Sequence, residues 1–235
     1  MKRSLPFILT LGNLAAGLAA VAYALQGAFF VAGALVLIGA VLDGYDGRLA
    51  RKLGVAGVSG QWADTTSDLV TFGLAPSMML FMLGGATYAW LFALFYAAAI
   101  LARLVRYLLS PPPAGTFKGL PSPSAGIAVA ASVVFAYQSG MAGFAWGAGV
   151  LWGALAVSTL PYPGLFHPAL WILPKGVAIF LWGGHLIALG FHPSLAVLSF
   201  FSIYTILGPI LFTRWRRNRE TGRVESIAPE GDGTP

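Results

Sequence analysis

Apolar residues fill this chain in long, nearly unbroken stretches, without the strict two-residue alternation of a half-buried strand. Eight stretches can cross a bilayer, which takes roughly 20 residues at about 1.5 Å rise each: 7–25, 28–52, 61–83, 88–109, 124–139, 143–159, 169–189 and 193–213. Each is expected to be helical. Lipid offers backbone groups no hydrogen-bond partner, and a membrane barrel would alternate polar and apolar residues. The two short stretches, 124–139 and 143–159, are alternatively a single hairpin. The pattern predicts an all-α integral membrane protein, a polytopic bundle of about eight transmembrane helices over residues 1–213. A basic, disordered cytoplasmic tail is expected over 214–235, where the chain turns polar and contains Pro and Gly.

Composition supports that reading and removes others. Only 9% of the 235 residues are charged, against roughly 25% in an ordinary soluble domain. Mean hydropathy is +0.78, and 57% of residues are hydrophobic, more than a soluble globule of this size can bury. The absence of Cys excludes a disulfide scaffold. The net charge of +6 is no nucleic-acid footprint, because five of the 14 basic residues (Arg214, Arg216, Arg217, Arg219 and Arg223) adjoin the last apolar stretch. Such a run meets anionic lipid headgroups.

Basic residues also mark one side of the membrane. Lys2 and Arg3 precede the first stretch; Arg48, Arg51 and Lys52 end the second; Arg103 and Arg106 end the fourth. Lys118 follows in the next loop, Lys175 lies in the seventh stretch, and the connections at 26–27, 84–87, 140–142 and 190–192 have no Lys or Arg. Both termini are therefore expected in the cytoplasm, with the protein in the cytoplasmic (inner) membrane. The start of the chain also resembles a cleavable signal peptide, but cleavage would remove Thr10 and Asn13 and upset the charge parity. No long-period repeat is visible, which gives a transporter built from two similar halves little support.

Beyond the tail acids Glu220, Glu225, Glu230 and Asp232, the only acidic residues are Asp43, Asp46, Asp64 and Asp68. A carboxylate inside a span costs about 3 kcal/mol and marks a functional site by default. Asp43 and Asp46 stand three apart and Asp64 and Asp68 four apart, so each pair shares one helix face. The short turn Leu53–Gly60 makes the two helices antiparallel neighbours, and the carboxylates can converge into an oxygen cage for Mg²⁺ or Mn²⁺. Gly47 leaves room for a ligand and Arg51 offers a planar fork for phosphate, although, taken singly, such a glycine more often serves helix packing and such an arginine more often snorkels. Two alternatives remain open. The aspartates can pair with Arg48, Arg51, Arg103 and Arg106 as a structural network, or serve a cation-coupled transporter. Their clustering near the cytoplasmic helix ends disfavours the transporter.

The run Asp43-x-x-Asp46-Gly47-x-x-Ala50-Arg51, then Gly60, Asp64 and Asp68 at fixed spacing, resembles the signature of the CDP-alcohol phosphotransferases at every fixed position. The resemblance implies transfer of a headgroup alcohol onto a CDP-linked lipid, with release of CMP and dependence on Mg²⁺ or Mn²⁺ in a two-metal site. It implies that Asp43, Asp46, Asp64 and Asp68 hold the metals and that Asp68 is also the catalytic base. It further implies that Gly47, Ala50, Arg51 and Gly60 shape the cytidine-diphosphate site. Thr10 and Asn13, on the first helix, either line that site or make polar helix contacts.

Phe117-Lys118-Gly119-Leu120-Pro121-Ser122-Pro123-Ser124-Ala125-Gly126 is similar to the loop-to-helix segment of the phosphatidylserine synthases within that family. Arg103-Leu104-Val105-Arg106-Tyr107 and the run from Ser158 to Pro163 are similar to further parts of them. This implies CDP-diacylglycerol and L-serine as substrates. Arg103, Arg106, Lys118 and Ser122 would then bind the acceptor or a phosphate. From the residues alone, Ser122 or Ser124 is equally an N-cap and Lys118 a positive-inside residue. Glycerol 3-phosphate, an inositol phosphate, choline or an archaeal lipid donor remain alternatives. The resemblance also implies a homodimer, with weak support from the small-residue pairs among Gly143, Gly147, Gly149 and Gly153. His167, His185 and His192 have no metal-ligand spacing.

Overall fold

The computed structural model of the chain describes residues 5–54, 57–84, 87–110, 116–164 and 192–220. Helices α1 (Leu5–Leu25) and α2 (Phe29–Lys52) are followed by α3 (Val58–Asp68), which continues through a π-helical stretch (Leu69–Leu74) into α4 (Ala75–Met82). Then come α5 (Ala89–Leu109), α6 (Ser122–Ser139), α7 (Ala142–Val157) and α8 (Pro193–Glu220). Two short strands, β1 (Thr116–Lys118) and β2 (Pro161–Pro163), pair antiparallel with Phe117 opposite Tyr162.

Among the described residues, four helices are long and apolar enough to cross a membrane: Leu5–Leu25, Phe29–Ala50, Ala89–Leu109 and Pro193–Asn218. The expected all-α membrane architecture holds. The expected stretch 61–83 is one rod with a π-helical interruption, and 124–139 and 143–159 are separate helices. The expected stretch 169–189 lies outside the described residues. One boundary is corrected: α8 runs to Glu220, so residues 214–220 continue a helix where a disordered tail was expected. Phe212 and Trp215, three apart on one face, stack across that boundary at 6.1 Å. The rest of the expected tail is outside the described residues.

Small residues decide how the helices meet. The buried positions of α1 are Pro6, Thr10, Asn13, Ala16, Gly17, Ala20 and Ala24, a stripe at helical spacing, while Phe7, Ile8, Leu11 and Leu18 face outward. In lipid, large apolar side chains gain nothing by turning inward, so close packing of small residues drives association. A Cβ on Gly17 would stand 2.9 Å from Thr71 Cα, one on Gly39 2.8 Å from Asn13 Oδ1, and one on Gly126 2.9 Å from Phe72 Cα. These three glycines let α1, α2 and α6 close on the π stretch. The Phe72 carbonyl accepts a hydrogen bond from the Tyr96 hydroxyl of α5 at 2.9 Å, and Thr71 Oγ1 donates to Asn13 O at 2.9 Å.

Helix α6 is buried along most of its length, from Ser122 to Ala136. Its neighbours shield it from lipid, which is why a helix rich in Ala, Ser and Gly suffices there. The β1–β2 ribbon closes one end of the bundle. Arg106 Nη1 donates to Val157 O at 2.6 Å and Nη2 to Lys118 O at 2.7 Å, tying the ribbon to the end of α7. From α8, Tyr204 donates to Pro163 O at 2.6 Å, and Tyr162 donates to Thr205 O at 3.2 Å. Gly119 sits at the junction with φ +79°, and a Cβ there would stand 2.7 Å from Ser158 O. Gly119→Ala therefore combines a left-handed backbone with a clash and is expected to destabilise the protein by about 1–3 kcal/mol. Thermal unfolding in detergent checks this; an unchanged Tm contradicts it.

Candidate active site

The acidic residues come from two consecutive rods. Asp43 and Asp46 project from the last turns of α2, and Asp64 and Asp68 from the end of α3. Carboxylate oxygens of Asp43, Asp64 and Asp68 all lie within 4.8 Å of one another. Two ligands on opposite sides of a Mg²⁺ at about 2.1 Å are about 4.2 Å apart, so this all-oxygen group is within a few tenths of an ångström of closing on one hard cation. Three converging carboxylates also repel one another unless a positive charge is shared among them. The donor set fits Mg²⁺ or Mn²⁺.

Asp46 departs from the expected four-carboxylate cage. It stands outside the group of three, is buried, and its Oδ2 accepts a hydrogen bond from Thr10 Oγ1 at 2.8 Å. Three residues along a helix leave an offset of about 60° between side chains, and the threonine on α1 captures Asp46 on its own side. Thr10 thus makes a polar contact between helices, one of its two expected roles.

Asp68 is held from two sides. Asn13 Nδ2 lies 3.4 Å from Asp68 Oδ1 and 3.2 Å from Ser67 Oγ. Ser122 Oγ donates to Asp68 Oδ2 at 3.1 Å, and Arg103 Nη1 donates to Ser122 Oγ at 2.8 Å. Arg103 is only 5% exposed. It joins this chain of contacts to a cavity of about 190 Å³ lined by Arg103, Arg106, Tyr107, Ser110, Phe117 and Lys118. Expected acceptor residues therefore do line one cavity, with two qualifications. Both terminal nitrogens of Arg106 are engaged by carbonyls, at Val157, Lys118 and Ala156, and Ser122 faces Asp68.

The residues expected around the nucleotide are spread along the open side of the same two rods. A Cβ on Gly47 or Gly60 would meet no heavy atom within 4 Å, so internal packing does not demand glycine at either position. This contrasts with Gly17, Gly39 and Gly126. Ala50 is half-buried one turn beyond Asp46, and the side chain of Arg51 lies outside the described residues. Among the residues of the expected dimer motif, Gly149 packs on Leu80 and Gly153 on Phe95, whereas Gly143 and Gly147 face no neighbour within 4 Å. Ser67, Thr71, Tyr96 and Gly119 were not anticipated. Only the positive φ at Gly119 had a sequence trace, a glycine between Lys118 and Leu120 at a loop end.

Residues 3–160 match the family model of the CDP-alcohol phosphatidyltransferases, and the chain belongs to that family. It is an integral membrane protein. A CDP-diacylglycerol–serine O-phosphatidyltransferase of Mycobacterium leprae is 35% identical over 145 residues, 58% of this chain and 48% of that protein. One from Bacillus subtilis is 35% identical over 52% of this chain and 71% of that protein. One from Helicobacter pylori strain J99 is 30% identical over 229 residues, 89% of this chain and 90% of that protein. The chain thus spans about half the length of the mycobacterial relative and nearly all of the Helicobacter one.

Replacing Asp64 by Asn is expected to weaken Mn²⁺ binding by about tenfold or more, because one of three converging charged ligands is lost. Electron paramagnetic resonance of free Mn²⁺ during titration reads the change. Wild-type affinity in the variant would exclude this group as the metal site.

Proposed function

We propose that this protein transfers the phosphatidyl group of CDP-diacylglycerol to the hydroxyl of L-serine, releasing CMP. The convergence of Asp43, Asp64 and Asp68 within 4.8 Å, with Arg103 linking Asp68 to a cationic cavity, carries the proposal. The names of the relatives support serine as acceptor. Asp43, Asp64 and Asp68 would hold Mg²⁺ or Mn²⁺, with Asp46 beside them as the further carboxylate for a second ion. When bound, the metal would neutralise the carboxylates and the charge developing on the pyrophosphate oxygens.

The chain's own residues supply the rest. Asp68 takes the proton of the serine hydroxyl as its oxygen forms the new bond to the lipid-bearing phosphorus. The bond from that phosphorus to the oxygen of CMP breaks, and its electron pair leaves with CMP. Lys118 and the cavity face of Arg103 pair with the serine carboxylate. Arg106 acts by holding the ribbon that carries Lys118. Gly47 and Gly60 leave space where the cytidine diphosphate approaches. The acyl chains stay in lipid, and the basic residues at the ends of the second and fourth stretches support a cytoplasmic side for the site and both termini. A homodimer completes the reading, with Gly143 and Gly147 available on the outer face of α7.

The test supplies purified protein with CDP-diacylglycerol, Mn²⁺ or Mg²⁺ and one labelled alcohol at a time. Serine-dependent CMP release that stops with a chelator is expected; release with glycerol 3-phosphate but not serine overturns the acceptor. Asp68→Asn is expected to lower kcat by about 10²-fold or more while CDP-diacylglycerol still binds. Near-normal turnover removes Asp68 as the base.

A further inference from the structure

Ser122 begins α6, where a serine ordinarily caps the helix, yet the N-cap is Pro121 and no side-chain cap hydrogen bond forms. Its hydroxyl stands between a cation and an anion instead, 2.8 Å from Arg103 Nη1 and 3.1 Å from Asp68 Oδ2. All three side chains are buried, Ser122 at 1% exposure and Asp68 at 8%. A hydroxyl has one proton and two lone pairs, while a guanidinium has donors only. Arg103 must therefore occupy a lone pair of Ser122, which leaves the single proton for the carboxylate. The order of the three groups fixes the direction of both hydrogen bonds.

The inserted hydroxyl also keeps the cation off the carboxylate. A guanidinium placed directly on Asp68 would form a two-pronged ion pair and take a lone pair on each oxygen. Through Ser122 only one lone pair is taken, on Oδ2. Asn13 restrains Oδ1 more loosely, at 3.4 Å. Ser122 and Asn13 leave the rest of the carboxylate unoccupied by a cation, with an Asp68 oxygen within 4.8 Å of oxygens of Asp43 and Asp64.

We infer that Ser122 is a positioning residue for Asp68, its hydroxyl aimed by Arg103, and is not a contact for the acceptor alcohol. This rests on the proposed function only in assigning Asp68 to the reacting hydroxyl. The same guanidinium lines the acceptor cavity and orients the group that holds the base, so cavity and carboxylates share one rigid linkage.

The test compares Ser122→Ala and Ser122→Thr in the full chain, purified in detergent, by steady-state kinetics with CDP-diacylglycerol and serine and by Mn²⁺ titration without substrate. Ser122→Ala is expected to lower kcat about 10- to 100-fold with the serine KM within about twofold, and to weaken Mn²⁺ binding about tenfold. Ser122→Thr, which keeps the hydroxyl, is expected to restore both to within about threefold. A raised serine KM with kcat and Mn²⁺ affinity unchanged would make Ser122 an acceptor contact and overturn the inference. Equal losses in both variants would reduce it to packing and overturn it too. If the wild type makes no phosphatidylserine, the proposed function fails separately, and the Mn²⁺ titration alone decides: unchanged affinity in Ser122→Ala sinks the inference.

Discussion

Three carboxylates brought within 4.8 Å of one another inside a membrane-spanning bundle are the constraint that the surrounding structure answers. Buried charge is costly, and like charges at such a distance add repulsion. The protein meets this with polar groups drawn from several helices. α1 supplies Thr10 to Asp46 and Asn13 to Asp68, α6 supplies Ser122, and α5 supplies Arg103 behind it. Each donor is buried and comes from a different rod than its acceptor, so the acidic cluster is also what the bundle is assembled around.

That assembly depends on backbone contact. Hydrogen bonds near 3 Å across helices require the rods to approach closely, and side chains larger than glycine at Gly17, Gly39 or Gly126 would hold them apart. The point of contact is the π stretch directly after Asp68, a widened turn of the kind that recurs at functional sites. Within it the Phe72 carbonyl accepts from Tyr96, and Thr71 reaches the backbone of Asn13. The residue that orients Asp68 and the residue anchored by the π stretch are thus the same asparagine. Small shifts of this stretch would reach the carboxylates directly.

The cationic part of the site is built separately. Its elements are α5, the β1–β2 ribbon and the end of α7, tied to α8 by two tyrosines, Tyr204 of α8 and Tyr162 of β2. Arg106 closes this unit by satisfying carbonyls at the end of a helix, where backbone acceptors lack partners within the helix. Arg103 reaches from the cationic unit to the acidic one, with Ser122 as the intermediate.

Much of this was legible in the chain itself. Long apolar stretches allow only helices in lipid, and helical periodicity puts Asp64 and Asp68 on one face whatever surrounds them. The acidic signature and its family follow from spacing along single helices. The β1–β2 ribbon did not, since three-residue strands have no period to detect. What tertiary structure alone decided was the partner of each face. Asp46 accepts from Thr10 and stands apart from the three converging carboxylates, Ser122 donates to Asp68, and Arg106, at the cavity wall, donates to backbone carbonyls. Periodicity sets the direction of a side chain relative to its own helix axis. Which neighbouring helix lies in that direction, and how near, depends on close packing between rods distant in sequence, and glycines such as Gly39 and Gly126 reveal their purpose only once those rods are in place.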